Sequence, residues 1–164
     1  MELFEIVSEL GEIIGTAPRS LCHADPWFVH RSVHVLVFGR DGKLLLQLRA
    51  KGKDVQPGKW DTSVGGHLAP GETYEQAAVR EMREELGITA PLVFLYDYKY
   101  RGARESEDVR SFKAVHDGPF TPAPDEIDEV RRLAPDEIGR MLGTGAFTPN
   151  FEREYEMYIK SRLA

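Results

Sequence analysis

The stretch from Gly66 to Ile88, GHLAPGETYEQAAVREMREELGI, constrains this chain more than any other part of it. Pro70-Gly71 signals a turn, Thr73 and Gln76 have the spacing of a capping box, and Gly87 is a natural helix C-cap. The sequence therefore predicts a helix from about Thr73 to Leu86. At the helical period, Glu81, Glu84 and Glu85 fall within an arc of about 100°, beside an apolar stripe of Tyr74, Ala78, Met82 and Leu86. One side suits a core and the next suits cations.

Three carboxylates near the C-terminal end of one helix are locally unfavourable. Like charges repel at i,i+4, and the macrodipole already places partial negative charge there. Something positive should offset that repulsion. Arg80 and Arg83 would do so on a merely solvated acidic face, and a bound cation is the alternative reading. Hard oxygen ligands without sulfur select Mg²⁺ or Mn²⁺.

The flanks decide between the two. Gly66, Glu72, Arg80, Glu81, Met82, Glu84, Glu85, Gly87 and Ile88 stand at the fixed positions of a long pattern. It runs Gly, five residues, Glu, seven residues, Arg-Glu, an aliphatic, any residue, Glu-Glu, any residue, Gly, an aliphatic. In this the chain resembles the Nudix hydrolases. The resemblance implies an α/β/α sandwich around a mixed β-sheet, and metal ligation by Glu81, Glu84 and Glu85 together with the Gly65 carbonyl. It further implies a metal-polarised water attacking phosphorus of a compound in which a diphosphate is linked to another group. Glu81 is the first choice of base, with Glu84 or an acidic residue from another loop as the second. Arg80 would hold a helix glutamate in its rotamer, and Glu72 would support the loop and helix. Among downstream acids, Asp125, Glu126 and Glu129 stand where some relatives place one more ligand, or form an exposed charged loop.

Along the rest of the chain, Leu3 to Val7 and Glu12 to Ile14 read as a small N-terminal hairpin, and residues 17–30 carry turn signals. Val33 to Phe38 and Leu44 to Leu48 read as a hairpin about Asp41-Gly42. Lys51 to Lys59 reads as a loop leading to Trp60 to Val64. After the helix come a strand through Tyr96, Tyr98 and Tyr100, a returning strand from Val109 to Val115, and a strand from Ile127 to Leu133. A short helix from Pro135 to Leu142 and an amphipathic helix from Asn150 to Leu163 close the chain. The tyrosines could stack a base or simply pack, and Trp27 and Phe28 could cover a pocket or fill core.

With 164 residues and no visible linker, the chain reads as one domain, residues 1–30 forming a hairpin and lead-in and 66–88 the glutamate-bearing motif. A net charge of −6 argues against general nucleic-acid binding while leaving room for local basic groups to hold one diphosphate. Cys22 is the single cysteine, so no intrachain disulfide can form. No signal peptide or run of 18 apolar residues is present, and the expectation is a cytoplasmic protein not bound to membrane. The N-terminal hairpin and the tyrosine-rich strand are compatible with a homodimer.

Outside the helix the chain resembles the isopentenyl-diphosphate isomerase branch of the same superfamily. That branch binds a metal through three histidines and two glutamates, which match His23, His30, His67, Glu105 and Glu107 here. Arg49 and Lys53 match its diphosphate-binding basic residues. The reactive groups differ. Gly65 stands at the isomerase's cysteine position, and Gly145 precedes Ala146-Phe147-Thr148-Pro149 where its tryptophan is expected. The isomerases are in turn degraded at two acidic positions that are Glu81 and Glu84 here. A pyrophosphohydrolase is the favoured expectation, with an isomerase and a non-catalytic diphosphate-binding module as alternatives.

Overall fold

The computed structural model describes residues 1–53 and 55–163; Asp54, within the loop expected at 51–59, lies outside them. Nine strands form one mixed sheet among the described residues. In chain order they are β1 (Leu3–Val7), β2 (Ile13–Pro18), β3 (His30–Phe38), β4 (Leu44–Arg49), β5 (Trp60–Asp61), β6 (Val64–His67), β7 (Val93–Arg101), β8 (Ser106–Val115) and β9 (Ile127–Leu133). The helices are α1 (Arg19–Cys22), α2 (Tyr74–Leu86), α3 (Pro135–Met141) and α4 (Pro149–Leu163).

Strand β3 is the centre. It runs parallel to β8 along its whole length, from His30↔Glu107 to Phe38↔Val115, and antiparallel to β6 from Ser32↔His67 to Val35↔Val64. Alternate side chains point to opposite faces. Val33, Val35 and Val37 join Ala78, Met82 and Leu86 of α2 in one core, while Leu36 and Phe38 join Phe147, Phe151 and Tyr155 in the other. The sheet is therefore covered on both faces, by α2 on one and by α3 and α4 on the other. This is the expected α/β/α architecture.

Helix α2 is bounded by local chemistry. The Thr73 hydroxyl accepts from the Gln76 N–H, the Gln76 side chain accepts from the Thr73 N–H, and Gly87 closes the helix in the left-handed region at φ 67°. Its charged face is not wholly solvated, because Glu85 lies in the buried row with Met82 and Leu86.

Three expectations need correcting. The hairpin about Asp41-Gly42 closes through a single pair, Phe38↔Leu44. Beyond it β4 pairs with β9 and β5, because β6 and β8 already flank β3. The second hairpin strand covers Ile13–Pro18 rather than Glu12 to Ile14, since its pairing with β1 extends to Leu3↔Pro18. The turn-rich lead-in holds the short helix α1.

Thr73→Ala should lower stability by about 1 kcal/mol through loss of the cap, with the urea m-value unchanged. Equilibrium urea unfolding checks this.

Candidate active site and metal-ligating clusters

On the α2 face, Arg80 organises the carboxylates. Its Nε and Nη2 donate to the two oxygens of Glu72 at 2.7 and 2.9 Å, and Nη2 also donates to the His67 carbonyl at 3.0 Å. Nη1 donates to Glu81 at 2.7 Å and to Glu84 at 3.2 Å. Glu72 in turn accepts from the Ala69 N–H at 2.8 Å, so it ties the loop to the helix as expected. The bidentate hydrogen bond from Arg80 holds the Glu72 carboxyl below its ordinary range.

The three helix glutamates separate. Glu84 is 59% exposed, whereas the Glu81 side chain is 13% exposed and Glu85 is buried. Gln47 on β4 donates to Glu85 at 2.7 Å. Burial pushes both inner carboxyls up; Arg80 opposes it at Glu81, and the charges of Glu81 and then Glu126 add to it at Glu85. Glu129 pairs with Arg131 at the surface. Of the two inward carboxylates only Glu81 has an arginine, which it shares with Glu72 and Glu84, and a divalent cation suits the missing positive charge. Gly66 makes room for them, since a Cβ there would overlap the Glu81 carboxyl group. The Gly65 backbone lies opposite His34 on β3, at the edge of the same turn.

The opposite face of the sheet gathers the five residues of the second set. The ligating atoms of His23, His30 and His67 lie within 4.8 Å of one another, as do those of His30, Glu105 and Glu107. Glu107 Oε1 is 3.1 Å from His67 Nε2 and 3.4 Å from His30 Nε2, and His23 Nε2 is 3.6 Å from Glu105 Oε2. His30 Nδ1 sits 3.2 Å from the Phe28 carbonyl, which fixes its proton there and turns Nε2 into the cluster. That Nε2 is buried with no hydrogen-bond partner. An orphaned imidazole nitrogen facing two carboxylates and two further imidazoles is a donor set that fits a transition-metal ion.

Electrostatics agree. Burial works against the Glu107 charge, but the His30 and His67 imidazoles outweigh it and hold that carboxyl well below its usual range. Glu105 is raised by burial and then by the Glu107 charge. Phe4 stacks on His30 and His67 at 5.1 and 4.6 Å, and Ser32 donates to Glu107 at 3.1 Å. Neither stood out in the sequence; the period-two alternation that puts Ser32 on the face of His30 was the available signal.

Of the basic pair, Arg49 donates to the Val55 carbonyl at 2.9 Å and reaches Asp61 at 3.4 Å. Lys53 is half-buried in the adjoining loop. Tyr96 and Tyr98 face α4 rather than open solvent: Tyr96 donates to the Glu154 carbonyl, and the Tyr98 hydroxyl lies 3.3 Å from His34 Nδ1. Trp27 is 82% exposed, while Phe28 packs against the N-terminal core. No helix among the described residues is long and apolar enough to cross a membrane.

Two outcomes follow from this geometry. Gly66→Ala should leave the fold intact by circular dichroism yet cut turnover about 10²-fold by displacing Glu81. His23 is lowered from 6.5 to about 4, by burial and then by His67, so the unfolded chain binds more protons between those values. Metal-free protein should therefore lose stability as pH falls from 6.5 to 4, and His23→Gln should flatten that slope in urea midpoints.

Comparison with known proteins shows the family. The family model for the NUDIX domain matches residues 29–155. An isopentenyl-diphosphate Delta-isomerase of Clavibacter sepedonicus is 35% identical over 144 residues, covering 84% of this chain and 76% of the relative. An uncharacterised Nudix hydrolase of Yersinia pestis is 37% identical over 161 residues, covering 97% and 86%. The crystal structure of DR0079 from Deinococcus radiodurans superimposes with a TM-score of 0.82 at 25% identity, over 96% of this chain and 99% of that one. The chain belongs to the Nudix superfamily, in the branch that holds isopentenyl-diphosphate isomerases, and it keeps the full set of Nudix glutamates.

Proposed function

We propose that this protein is a divalent-metal-dependent pyrophosphohydrolase acting on a small diphosphate compound, with nucleoside diphosphate derivatives the first class to test. The observation that carries this reading is the inward pair Glu81 and Glu85, of which Arg80 bonds only Glu81 while Glu85 is buried against the neutral Gln47 amide. Mg²⁺ or Mn²⁺ bound by Glu81, Glu84, Glu85 and the Gly65 carbonyl would neutralise the diphosphate and make a bound water a stronger nucleophile. Glu81 accepts the proton of the attacking water as its oxygen bonds to phosphorus and the bridging P–O bond breaks. Glu84 is the second candidate for that proton. Arg80 fixes the Glu81 rotamer through its 2.7 Å bond, with Glu72 holding Arg80 in turn. Arg49 and Lys53, in the 49–53 segment, would bind the diphosphate, Arg49 by exchanging its bond to Asp61 for phosphate oxygen.

A panel of nucleoside diphosphates and their derivatives with Mg²⁺ or Mn²⁺ tests this. Phosphate or monophosphate should be released by the wild type, with kcat about 10²- to 10⁴-fold lower in Glu81→Gln and Glu85→Gln proteins of native Tm. Silence of the wild type across the panel with either metal would sink the reading, and tight binding without turnover would leave a binding module.

A second reading is supported by the cluster of His23, His30, His67, Glu105 and Glu107 and by the isomerase relatives. The five residues would hold a second metal ion, which serves either reaction. Against isomerisation stands Gly65, which has no thiol; a Cβ there would meet the His34 ring at a tight 3.3 Å. Deuterium exchange into isopentenyl diphosphate separates the two, and incorporation at a rate matching turnover would favour the isomerase.

A further inference from the structure

The buried polar group that the chemistry above leaves unused is His34 with its partners on β7, β8 and α4. His34 follows His30 and Ser32 on the same face of β3 and sits across from Gly65 on β6. Its Nδ1 is 3.5 Å from Glu154 Oε1 and 3.3 Å from the Tyr98 hydroxyl. Glu154 is 0% exposed; Ser111 donates to its Oε1 at 2.7 Å, and its Oε2 is buried without a partner. A fully buried carboxylate is costly without partners, and the His34 imidazole is in contact with it. Burial works against the His34 charge, but the Glu154 carboxylate prevails and raises its pKa.

The geometry leaves one edge of the ring for another molecule. Nδ1 is committed to Glu154 and Tyr98, while Nε2 has no hydrogen-bond partner among the described residues. That Cδ2–Nε2 edge faces Gly65, whose missing side chain leaves it uncovered, and the His34 side chain keeps 14% of its surface. A buried ion pair of this kind is a poor source of stability compared with apolar packing. Its effect is to fix the ring's orientation, turning Nε2 toward β6 where Gly65 and Gly66 separate the two acidic sites.

We propose that His34 is a substrate-recognition residue whose Nε2–H donates to an oxygen of the bound diphosphate compound, with Glu154 as the positioning residue that holds the ring. This rests on the hydrolase reading and names a contact within it. The oxygen belongs either to the diphosphate or to a carbonyl or hydroxyl of the attached group. In both cases the wall beside Gly65 selects a hydrogen-bonding ligand rather than a hydrocarbon chain.

The test is calorimetry with Mg²⁺ on the Glu81→Gln protein, so that binding is read without turnover, using inorganic diphosphate and the common nucleoside 5′-diphosphates as probes. His34→Asn keeps an amide near Nδ1 and removes the Nε2 donor; His34→Gln restores a donor near Nε2. His34→Asn should weaken binding roughly ten- to hundredfold, with His34→Gln closer to the parent and Tm similar in both. Glu154→Gln should weaken binding in the same direction. Equal losses for inorganic diphosphate and nucleotides assign the contact to phosphate; a loss confined to nucleotides assigns it to the attached group. Affinities within twofold of the parent for every probe overturn the proposal, as do equal losses in the Asn and Gln variants accompanied by a fall in Tm. Absence of binding to the parent protein overturns it as well, whereas the hydrolase reading is decided separately by wild-type turnover.

Discussion

The alternation of side chains along β3 is the constraint from which both acidic sites descend. Val33, Val35 and Val37 seat α2, and with it Glu81 and Glu85, on one face of the sheet. His30, Ser32 and His34 take the positions between and face the opposite way, toward Phe4, Glu107 and α4. A strand paired on both edges, by β6 and β8, satisfies its backbone without help from those side chains. That frees one face for packing and leaves the other for polar groups. A shift of one residue in the register would exchange the two sets and destroy both sites.

Charge is distributed unequally on each side. Beneath α2, Arg80 serves Glu72, Glu81 and Glu84, while Glu85 meets Gln47 as a neutral donor. On the histidine side, two carboxylates are held by three imidazoles, one of which has a buried nitrogen with no partner. Neither arrangement is a good way to stabilise a fold, because desolvated charges recover their cost only with complete partners. Both are sound ways to make room for a cation or an anionic ligand.

Local features were legible in the sequence, and those depending on distant partners were not. The capping box and Gly87 bound α2 within a residue of its expected ends, and β9 spans Ile127–Leu133 as its pattern suggested, because each signal lies inside the element. The five residues of the histidine set follow from a resemblance rather than from any local pattern, and the fold brings them together. The Asp41-Gly42 turn was read correctly, but not the divergence of its strands, which depends on β6, β8 and β9 competing for edges. The separation of Glu84 from Glu81 and Glu85 was likewise hidden, since an arc on a helical wheel does not say where the sheet lies. Glu154 lies within a charged run of α4 and looks like surface in the sequence; only β3 and β8, more than 40 residues away, bury it.

The kinship with isomerases and the reactive groups point in different directions, and position 65 is where they part. An alkene isomerase needs a proton donor and acceptor placed across a double bond, within walls that tolerate a hydrocarbon. Here Gly65, which the resemblance aligns with the isomerase thiol, has no side chain, and it faces an imidazole tied to a buried carboxylate. Restoring a cysteine would press its Cβ against the His34 ring and would not remove Glu154, Ser111 or the tyrosine hydroxyls behind it. A substitution at position 65 alone would therefore leave these polar groups in place. The glutamates of α2 and the polar groups around His34 lie on opposite faces of the same strand pair, β3 and β6, and a single ligand at the β6 edge is what would join them.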